Sequence, residues 1–559
     1  MDVTQGNFAE AAAELESLLP GCAFYAIDEE MTGIMLNRET APSYGDTCEA
    51  RYAKMRRVTN EFTLMQVGIT LFHEEPDGSF VARPFNFYVF PEAKSKRRIS
   101  MDASTAHFHR GNNMDFNKWI LQGVPYLSRT EYDAAAAELS TPAEEASQAP
   151  PQWNKVTLTR DADKAFMASA MEALEAWLGG GAETPLELPE CNPFLRRALF
   201  EEIERRRALH AGLHAESRAI EGEERRKRVV VMRLSAAEQA EKAAEKRAEA
   251  LGRLAERSGF LRVWRALCAS GKPLVGHNCT YDLMFLYSHF EAPLPTALGE
   301  WRAATHALLP LVWDTKLSAT RCGRFDATDL ERLHRACVAP PPAPVAVRLA
   351  AGYDRYEASG QCHEAGYDAY MTGVVHAILR HSGAAPDAAC NLLYAMRSVW
   401  QLNLAGDDTL VDPKSTVFQL GFAAEPRTTT ADLLRLFDEA WRVELRWVDA
   451  TSALALVPLE HAAAAHEALG AAKPAVLALT LDEWRAKGAA AAASRPAVAV
   501  AAPAAPAAPA APAAPAAPAA AKEPVEPAAK RRRAAPAAIK QAEQESPPKR
   551  RSGRLATKP

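Results

Sequence analysis

The stretch from Phe24 to Ile34, FYAIDEEMTGI, decides how the rest of this sequence is interpreted. Its apolar start predicts a buried strand, and three consecutive acids follow, Asp28, Glu29 and Glu30. Residues i and i+2 of a strand share a face, so Asp28 and Glu30 converge while Glu29 points to the other side. Two convergent carboxylates can bind a divalent cation, although a D-x-E pattern alone is a weak signal and is more typical of a solvated turn.

Composition limits the classes of protein that this chain can represent. It has 559 residues, 48% hydrophobic and 24% charged, which predicts a globular protein of several domains. The net charge is -5, but basic clusters near the C-terminus keep nucleic acid open as a partner. Nine cysteines without a C-x-x-C pair indicate a reducing compartment and no structural zinc. Neither a signal peptide nor a membrane span is expected from the hydropathy pattern.

Strand-like and helical patterns divide the chain into six segments. Strands are predicted at CAFYAI, FTLMQVGITLF, SFVARPFNFYVF, KPLVGHN and ALLPLVWDTK, which gives an α/β unit in two parts. Between these parts lies a small insert, for which we predict two helices and one terminal strand. The expected boundaries are 1–152 and 255–385 for the split unit, 153–235 for the insert, 236–254 for a solvated connecting helix, 410–488 for a further α/β unit and 489–559 for a tail.

The last two segments have distinct patterns. Residues 410–488 follow the order strand, helix, strand pair, helix, which suits an RNA-recognition-type sandwich. No aromatic pair typical of such sheets is present, so we do not expect general RNA binding by this sheet. Proline at every third position predicts an extended, disordered tail. Its basic clusters AKRRR and PPKRRSGR favour a nuclear import signal, with a nucleic-acid-binding tail as the alternative.

Two later motifs supply acids that can join Asp28 and Glu30. In VGHNCTYDLMFL, Asn278, Asp282 and Leu286 form one stripe of a helix, with Asp282 near its start. In HEAGYD, His363 and Asp368 are too far apart in angle to share a helical face. We therefore expect His363 just before a helix and Asp368 in its first turns. Separately, each motif also has a structural explanation: helix N-termini favour aspartate, and a lone histidine is commonly structural.

In this order, D-x-E, N-x-x-x-D-x-x-x-L and H-x-A-x-x-D resemble the DEDD exonuclease superfamily, in its histidine-containing branch. The resemblance implies a ribonuclease H-like α/β fold, a mixed five-stranded sheet with flanking helices. Two metal ions can activate water and stabilise the leaving oxygen in phosphodiester hydrolysis, and magnesium prefers carboxylate ligands. By this resemblance two magnesium ions are held by Asp28, Glu30, Asp282 and Asp368, and His363 is the general base.

Longer phrases narrow the resemblance to the poly(A)-specific ribonuclease (PARN) family. They include RYAKMRRVTNEFTLMQVGI, FNFYVFP, GKPLVGHN, LVWDTKL and HEAGYDAYMTG, and they cover most of residues 20–385 and extend into 410–488. The resemblance implies a 3′-to-5′ exoribonuclease that shortens poly(A) tails and releases 5′-AMP. It also implies a homodimer, and we expect the protein in nucleus and cytoplasm.

The resemblance also assigns contacts to RNA and to the 5′ cap. RNA contacts are expected at Ile34, Phe108, Lys316 and Met31, the last standing where the family usually has phenylalanine, and in the insert at Arg206 and His210. Arg206 and His210 are predicted to lie on one helical face, although a solvated basic helix gives the same pattern. Trp447 is the position that stacks on the cap by cation–π attraction, with a core tryptophan as the alternative.

Three alternatives to a deadenylase remain. A trimmer of small or structured non-coding RNAs would use the same chemistry. A catalytically inactive RNA-binding regulator would be expected to lack a metal ligand, whereas all four carboxylates and the histidine are present. A proofreading DNA exonuclease is disfavoured by the long family phrases.

Overall fold

A computed structural model describes residues 1–484, except 94, 96, 141–155, 181–183, 208, 221–222, 341–342, 358–361, 426 and 472–475. The predicted tail, 489–559, and most of the linker before the insert therefore lie outside the described residues. Among the helices of the described part, none combines the length and the apolarity that a membrane crossing requires.

In the described residues of the first part of the split unit, up to Ser140, there are five strands and five α-helices. The strands are β1 (Asp2–Val3), β2 (Phe24–Met31), β3 (Leu64–Glu74), β4 (Phe80–Pro91) and β5 (Val124–Tyr126). The helices are α1 (Phe8–Leu18), α2 (Cys48–Glu61), α3 (Ala103–Gly111), α4 (Phe116–Gln122) and α5 (Arg129–Ser140).

The insert is a helix pair packed on a small antiparallel sheet. It consists of α6 (Asp161–Gly179), β6 (Leu186–Glu187), α7 (Pro193–Arg207), β7 (Leu213–Ile220) and β8 (Glu223–Arg233), with strand order β6-β8-β7. The prediction of a single strand was therefore wrong. Half of the residues in the β7 segment LHAESRAI are polar or charged, so its hydrophobic pattern does not reveal a strand.

The second part of the split unit begins after the connecting helix. This helix, α8 (Ala236–Ser258), starts with a capping box in which Ser235 and Glu238 satisfy each other's backbone N–H groups, and it ends at Ser258 rather than at residue 254. The remaining elements are α9 (Leu261–Ser270), β9 (Leu274–Gly276), α10 (Thr280–Leu286), α11 (Leu298–Leu308), β10 (Val312–Asp314), α12 (Thr315–Cys322), α13 (Leu330–Val338), β11 (Val347–Leu349) and α14 (Ala365–His381).

The two parts share one mixed sheet with helices on both faces, which confirms the predicted fold class. Its central order is β4-β3-β2-β9-β10, antiparallel through β2 and parallel from β2 to β10. The short strands β1, β5 and β11 add to β4, so the described residues form a sheet of eight strands rather than the predicted five. These additions have two or three residues, too few for a recognisable sequence pattern.

Strand β2 separates two hydrophobic cores. Tyr25 and Ile27 belong to the larger core, which includes side chains of α1, α2, α9 and α10. Phe24 and Ala26 belong to the core formed with α14. The alternation continues into the acids, so Asp28 and Glu30 lie on the α14 side and Glu29 on the side of the larger core.

A hairpin and a second sheet complete the described chain. The hairpin sheet contains β12 (Leu392–Tyr394), β13 (Trp400–Asn403) and β14 (Thr409–Leu410). The last unit contains β15 (Ser415–Phe422), α15 (Thr430–Leu434), β16 (Glu444–Asp449), β17 (Ser452–Pro458), α16 (Ala462–Ala471) and β18 (Val476–Leu479), with antiparallel order β16-β17-β15-β18. Its first helix is shorter than predicted and is followed by a separate 3-10 turn, Glu439–Trp441.

Further short helical turns are Leu19–Gly21, Asp354–Tyr356, Asp387–Ala389 and Leu459–His461, and Tyr287–Glu291 forms a π-helix.

One face of the last sheet is covered by the rest of the chain. Val417 and Leu454 on this face are fully buried in the same core cluster as Trp400 and Leu402 of the hairpin. Trp484 stacks on Trp400 with ring centroids 5.8 Å apart. The covered face is not accessible to RNA. This burial is a structural reason, in addition to the missing aromatic pair, not to expect general RNA binding by this sheet.

Candidate active site

Four carboxylates from three elements meet at the end of β2. Asp28 and Glu30 come from β2, Asp282 from the first turn of α10, and Asp368 from the first turn of α14. Burial raises the pKa of Asp28, and the nearby carboxylates of Asp368, Asp282 and Glu30 raise it further. The structure therefore brings together acids that are distant in the sequence.

The other acids of the cluster respond in the same direction. Burial raises the pKa of Glu30, with Asp368 as the next contribution. Burial also raises the pKa values of Asp282 and Asp368 to about 7. One buried oxygen of Asp368, Oδ1, has no hydrogen-bond partner among the described residues. Buried carboxylates this close to one another require a counter-charge when ionised.

The donor set fits a divalent cation. Glu30, His363 and Asp368 offer ligand atoms that lie within 4.8 Å of one another. Carboxylate oxygens are the ligands that Mg²⁺ prefers, and a cation there would meet the unpartnered Asp368 oxygen. Glu30 and Asp368 could therefore hold a metal ion, and Asp28 and Asp282 are further candidates because the carboxylates of Asp282, Asp368 and Glu30 lie close enough to raise the pKa of Asp28.

The N-terminus of α14 is fixed on the sheet by side chains of neighbouring strands. Gln66 of β3 accepts the N–H of Ala365 at 3.3 Å, and Asn86 of β4 accepts the N–H of Gly366 at 3.2 Å. Gly68, the β3 partner of Asp28, permits this approach, since a Cβ there would lie 1.9 Å from the Ala365 carbonyl oxygen. These contacts set the position of Asp368, and sequence motifs alone gave no signal for them.

Asp314 organises the opposite side of the site, where α10 begins. Its buried carboxylate accepts backbone N–H groups from the loop before α10, from the start of α12 and from β12: Asn278 at 3.0 Å, Cys279 at 3.3 Å, Lys316 at 2.9 Å, Leu317 at 3.2 Å and Tyr394 at 3.0 Å. This network fixes the start of α10 and therefore Asp282. The motif LVWDTKL contained Asp314, but sequence reasoning assigned a role only to its lysine.

His363 lies just before α14, as expected from its spacing to Asp368. It is exposed, has a positive φ of 67°, and donates its backbone N–H to Asp368 Oδ2 at 3.1 Å. Burial of part of the ring lowers the pKa of His363, so the neutral imidazole dominates near pH 7. A neutral, accessible imidazole beside the carboxylates can accept a proton.

His109 on α3 is a site residue that the sequence analysis missed. Its Nε2 pairs with the backbone carbonyl of Met31 at 2.8 Å, and its Nδ1 lies 3.6 Å from Glu30 Oε2. Only 2% of His109 is exposed, and burial lowers its pKa. The Nε2 proton is therefore donated to Met31, and the lone pair of Nδ1 faces Glu30. No spacing rule connects α3 with β2, so the sequence held no signal for this contact.

The predicted RNA contacts near the site differ in their surroundings. Ile34 is 56% exposed, and Phe108 is 44% exposed with its ring 4.8 Å from that of His363. Met31 instead packs partly buried against the larger core. The Lys316 ammonium donates to the Thr328 carbonyl at 2.8 Å, which uses one of its three N–H donors. Ile34 and Phe108 are the accessible apolar members of this set.

Arg206 lies in the last turn of α7, and the backbone N–H of His210 donates to the Arg206 carbonyl at 3.1 Å. Helix α7 ends at Arg207, and His210 lies in the following turn. Arg206 also binds two carboxylates, those of Glu175 at 2.7 Å and Glu202 at 3.0 Å. Its charge is already compensated within the insert.

Trp447 of β16 lies on the helix side of the last sheet, opposite Val448, as expected. It is partly buried against the core of its own unit, edge-to-face with Phe422 at 5.5 Å. Its indole N–H donates to Thr430 Oγ1 at 3.1 Å. These contacts fix the indole while leaving part of its surface exposed.

Comparison with known proteins places this site in a family context. The model of the family described as "CAF1 family ribonuclease" matches residues 3–376. The chain is 30% identical to poly(A)-specific ribonuclease PARN of Bos taurus over 489 residues, which cover 81% of this chain and 75% of the relative. It is 26% identical to the pre-piRNA 3′-exonuclease trimmer of Bombyx mori, covering 69% and 72% of the two chains. The solved structure of S. pombe Pop2p with Mg²⁺ and Mn²⁺ covers 70% of this chain and 98% of its own, at 12% identity and a TM-score of 0.35, too low to support a conclusion.

Proposed function

This chain belongs to the CAF1 family of ribonucleases, and on that premise we propose that it is a 3′-to-5′ exoribonuclease that shortens poly(A) tails. The observation that carries the chemistry is the convergence of Asp28, Glu30, Asp282 and Asp368 beside His363. The choice of poly(A) is supported by the PARN relatives, which match four fifths of the chain.

The carboxylates and the histidine of the site have different roles in the proposed hydrolysis. Asp28, Glu30, Asp282 and Asp368 would hold two magnesium ions, which when bound supply charge stabilisation for the attacking and leaving oxygens. His363 takes the proton of the attacking water. The new P–O bond forms as the bond from phosphorus to the 3′ oxygen of the preceding nucleotide breaks. The products are 5′-AMP and an RNA shortened by one nucleotide with a free 3′ hydroxyl.

The decisive experiment follows 5′-labelled RNAs that end in A, U or C, incubated with purified protein and magnesium. We expect stepwise shortening from the 3′ end, fastest on A tails, with 5′-AMP as the released nucleotide. The Asp28→Ala variant serves as the control and should be inactive. Shortening that survives this substitution, or its absence in the unmodified protein, contradicts the proposal.

A 3′ trimmer of non-coding RNAs is the second candidate. It is supported by the similarity to the Bombyx mori trimmer and by Met31, which is partly buried and offers no aromatic surface for stacking on adenine. Equal rates on A, U and C tails would favour this candidate. An inactive regulator is the least supported alternative, because the catalytic set is complete.

We also propose that Trp447 binds the 5′ cap. A partly exposed indole held by Phe422 and Thr430 is preorganised for stacking on methylguanine. Trp447→Ala should weaken binding of a methylguanosine cap analogue, measured by fluorescence titration. Trp441→Ala, in the same unit, is the matched control. Equal affinity of Trp447→Ala and unmodified protein would remove the assignment.

Two further proposals concern the whole protein and have their own measurements. The family resemblance supports a homodimer, which light scattering on the purified chain can test. The basic clusters of the tail support import, and hence a distribution over nucleus and cytoplasm. A fluorescent fusion lacking residues 489–559 should lose its nuclear fraction.

A further inference from the structure

Two lysines of the connecting helix α8 line a pocket between this helix and the insert. Gln239, Lys242, Ala243 and Lys246 recur at helical spacing on one face, and all four line a pocket of about 300 Å³ against the insert. A helix face that packs on a domain is normally apolar. Here the face carries two ammonium groups, so simple packing does not account for it.

The opposite wall of the pocket belongs to the insert. Arg207 at the end of α7 and His214 in β7 line it, and Phe200 and Ile203 contribute apolar surface. The buried Nε2 of His214 has no hydrogen-bond partner among the described residues. Burial, followed by the charges of Lys246 and Lys242, lowers the pKa of His214, so both lysines lie close to the imidazole.

The acidic side chains near the pocket do not neutralise all of its positive charge. Glu216 is shared between Lys242 at 2.9 Å and Arg218 at 2.6 Å. Glu204 is 3.4 Å from Arg207, and both side chains are largely exposed, so this pair is weak. Lys246 forms no ion pair with any described residue. The lining therefore carries more cationic than anionic groups.

We propose that this pocket binds a backbone phosphate of single-stranded RNA, as a second RNA contact outside the active site. The inference rests on the proposed function, because it locates where the insert holds the RNA substrate. Arg207, Lys242 and Lys246 attract the phosphate, and the unpartnered imidazole of His214 lies beside them. The site differs from the predicted Arg206–His210 pair, whose arginine is compensated by Glu175 and Glu202.

The test compares two double charge reversals in the full chain. Lys242→Glu with Lys246→Glu alters the pocket, and Arg247→Glu with Arg253→Glu makes the same charge change on α8 outside the pocket lining. Fluorescence anisotropy in EDTA measures the Kd of a long oligoadenylate at several salt concentrations. The lysine variant should raise Kd about tenfold and flatten the salt slope by about 0.7 for each lost phosphate contact. Equal Kd changes in both variants, or no change in the lysine variant, overturn the proposal.

Two further experiments test whether the pocket binds RNA rather than free phosphate, and whether its effect is distinct from that of the active site. Inorganic phosphate at a concentration equal to that of RNA phosphate should not displace the RNA, whereas displacement would assign the pocket to free phosphate. With magnesium, the lysine variant should cleave a short oligoadenylate at unchanged kcat and a long one at raised KM. Because binding is read in EDTA, a protein that binds as expected but cleaves nothing contradicts only the proposed function.

Discussion

The two faces of strand β2 place neighbouring acids in opposite situations. On the α14 side, Asp28 and Glu30 meet Asp282 and Asp368 in a group that fits a divalent cation. On the other side, Glu29 is 5% exposed, and both carboxylate oxygens lack a hydrogen-bond partner among the described residues. Burial, then Asp282 and Asp28, raise the pKa of Glu29. Burial alone therefore does not identify a functional acid, because other ligand groups must also converge on it.

The largest expected difference between the faces is catalytic. Glu30→Gln should lower kcat on oligoadenylate by about 10³-fold, because Glu30 is a proposed metal ligand and a bound metal ion would contribute several kcal/mol to stabilising the transition state. Glu29→Gln, one residue away, should keep kcat within about twofold, because its side chain faces the core. Steady-state kinetics of the two variants measure the contrast. Comparable losses from both would break the distinction between the faces.

Gly68 tests whether the catalytic face depends on the close approach of α14. A methyl group at Gly68 would collide with the Ala365 carbonyl and displace the turn that carries Asp368. Gly68→Ala should lower kcat by about 10²-fold and destabilise the fold by about 1–3 kcal/mol. Gly252→Ala on α8, where a methyl group meets nothing within 4 Å, is the control for kinetics and urea unfolding. Normal kcat in Gly68→Ala would show that the packing is not required.

Substitutions of His109 test whether its hydrogen bond to the Met31 carbonyl positions the acids at the end of β2. His109→Leu loses the hydrogen bond to Met31 and should lower kcat/KM by about 10–100-fold, the range for residues that orient metal ligands. His109→Gln keeps a donor and should recover part of the loss. Binding of oligoadenylate in EDTA adds a readout independent of metal, since α3 also carries Phe108. Equal defects of both variants would argue against the hydrogen bond as the cause.

The pH dependence of metal binding gives a smaller effect of defined sign. The pKa values of Asp282 and Asp368 are raised from 3.8 to about 7, so without metal their contribution to stability is lost as pH rises through about 7. Bound magnesium would compensate the charge of the ionised carboxylates. The increase in Tm on adding magnesium should therefore grow between pH 5 and pH 8, by several degrees for a domain-sized protein. Calorimetry with Glu30→Gln as control should show a smaller increase, and a pH-independent shift would contradict the linkage.

Sequence reasoning reached the parts of this site that follow local rules. Alternation along β2 indicated which acids share a face, and the five-residue spacing indicated that His363 precedes the helix of Asp368. The contacts of Gln66, Asn86 and His109 could not be derived, because they join elements through packing rather than through periodicity. The edge strands and β7 were missed because their residues are too few or too polar to form a pattern.

The smallest expected effect concerns the stability cost of Glu29. Burial raises the pKa of Glu29 in the folded protein well above its usual value of 4.5. The protonated side chain therefore contributes to folding stability at low pH, and this contribution is lost as the pH rises toward the folded-state pKa. Glu29→Gln removes the ionisable group and should stabilise the protein at neutral pH by about 1 kcal/mol, with less or no gain near pH 4. Urea unfolding in EDTA at both pH values measures the difference. Exposed Glu10→Gln on α1 is the control and should change little. If Glu29→Gln lowered the free energy of unfolding instead, the Glu29 carboxylate would have a stabilising partner. The two faces of β2 would then differ in function but not in how their acids affect stability.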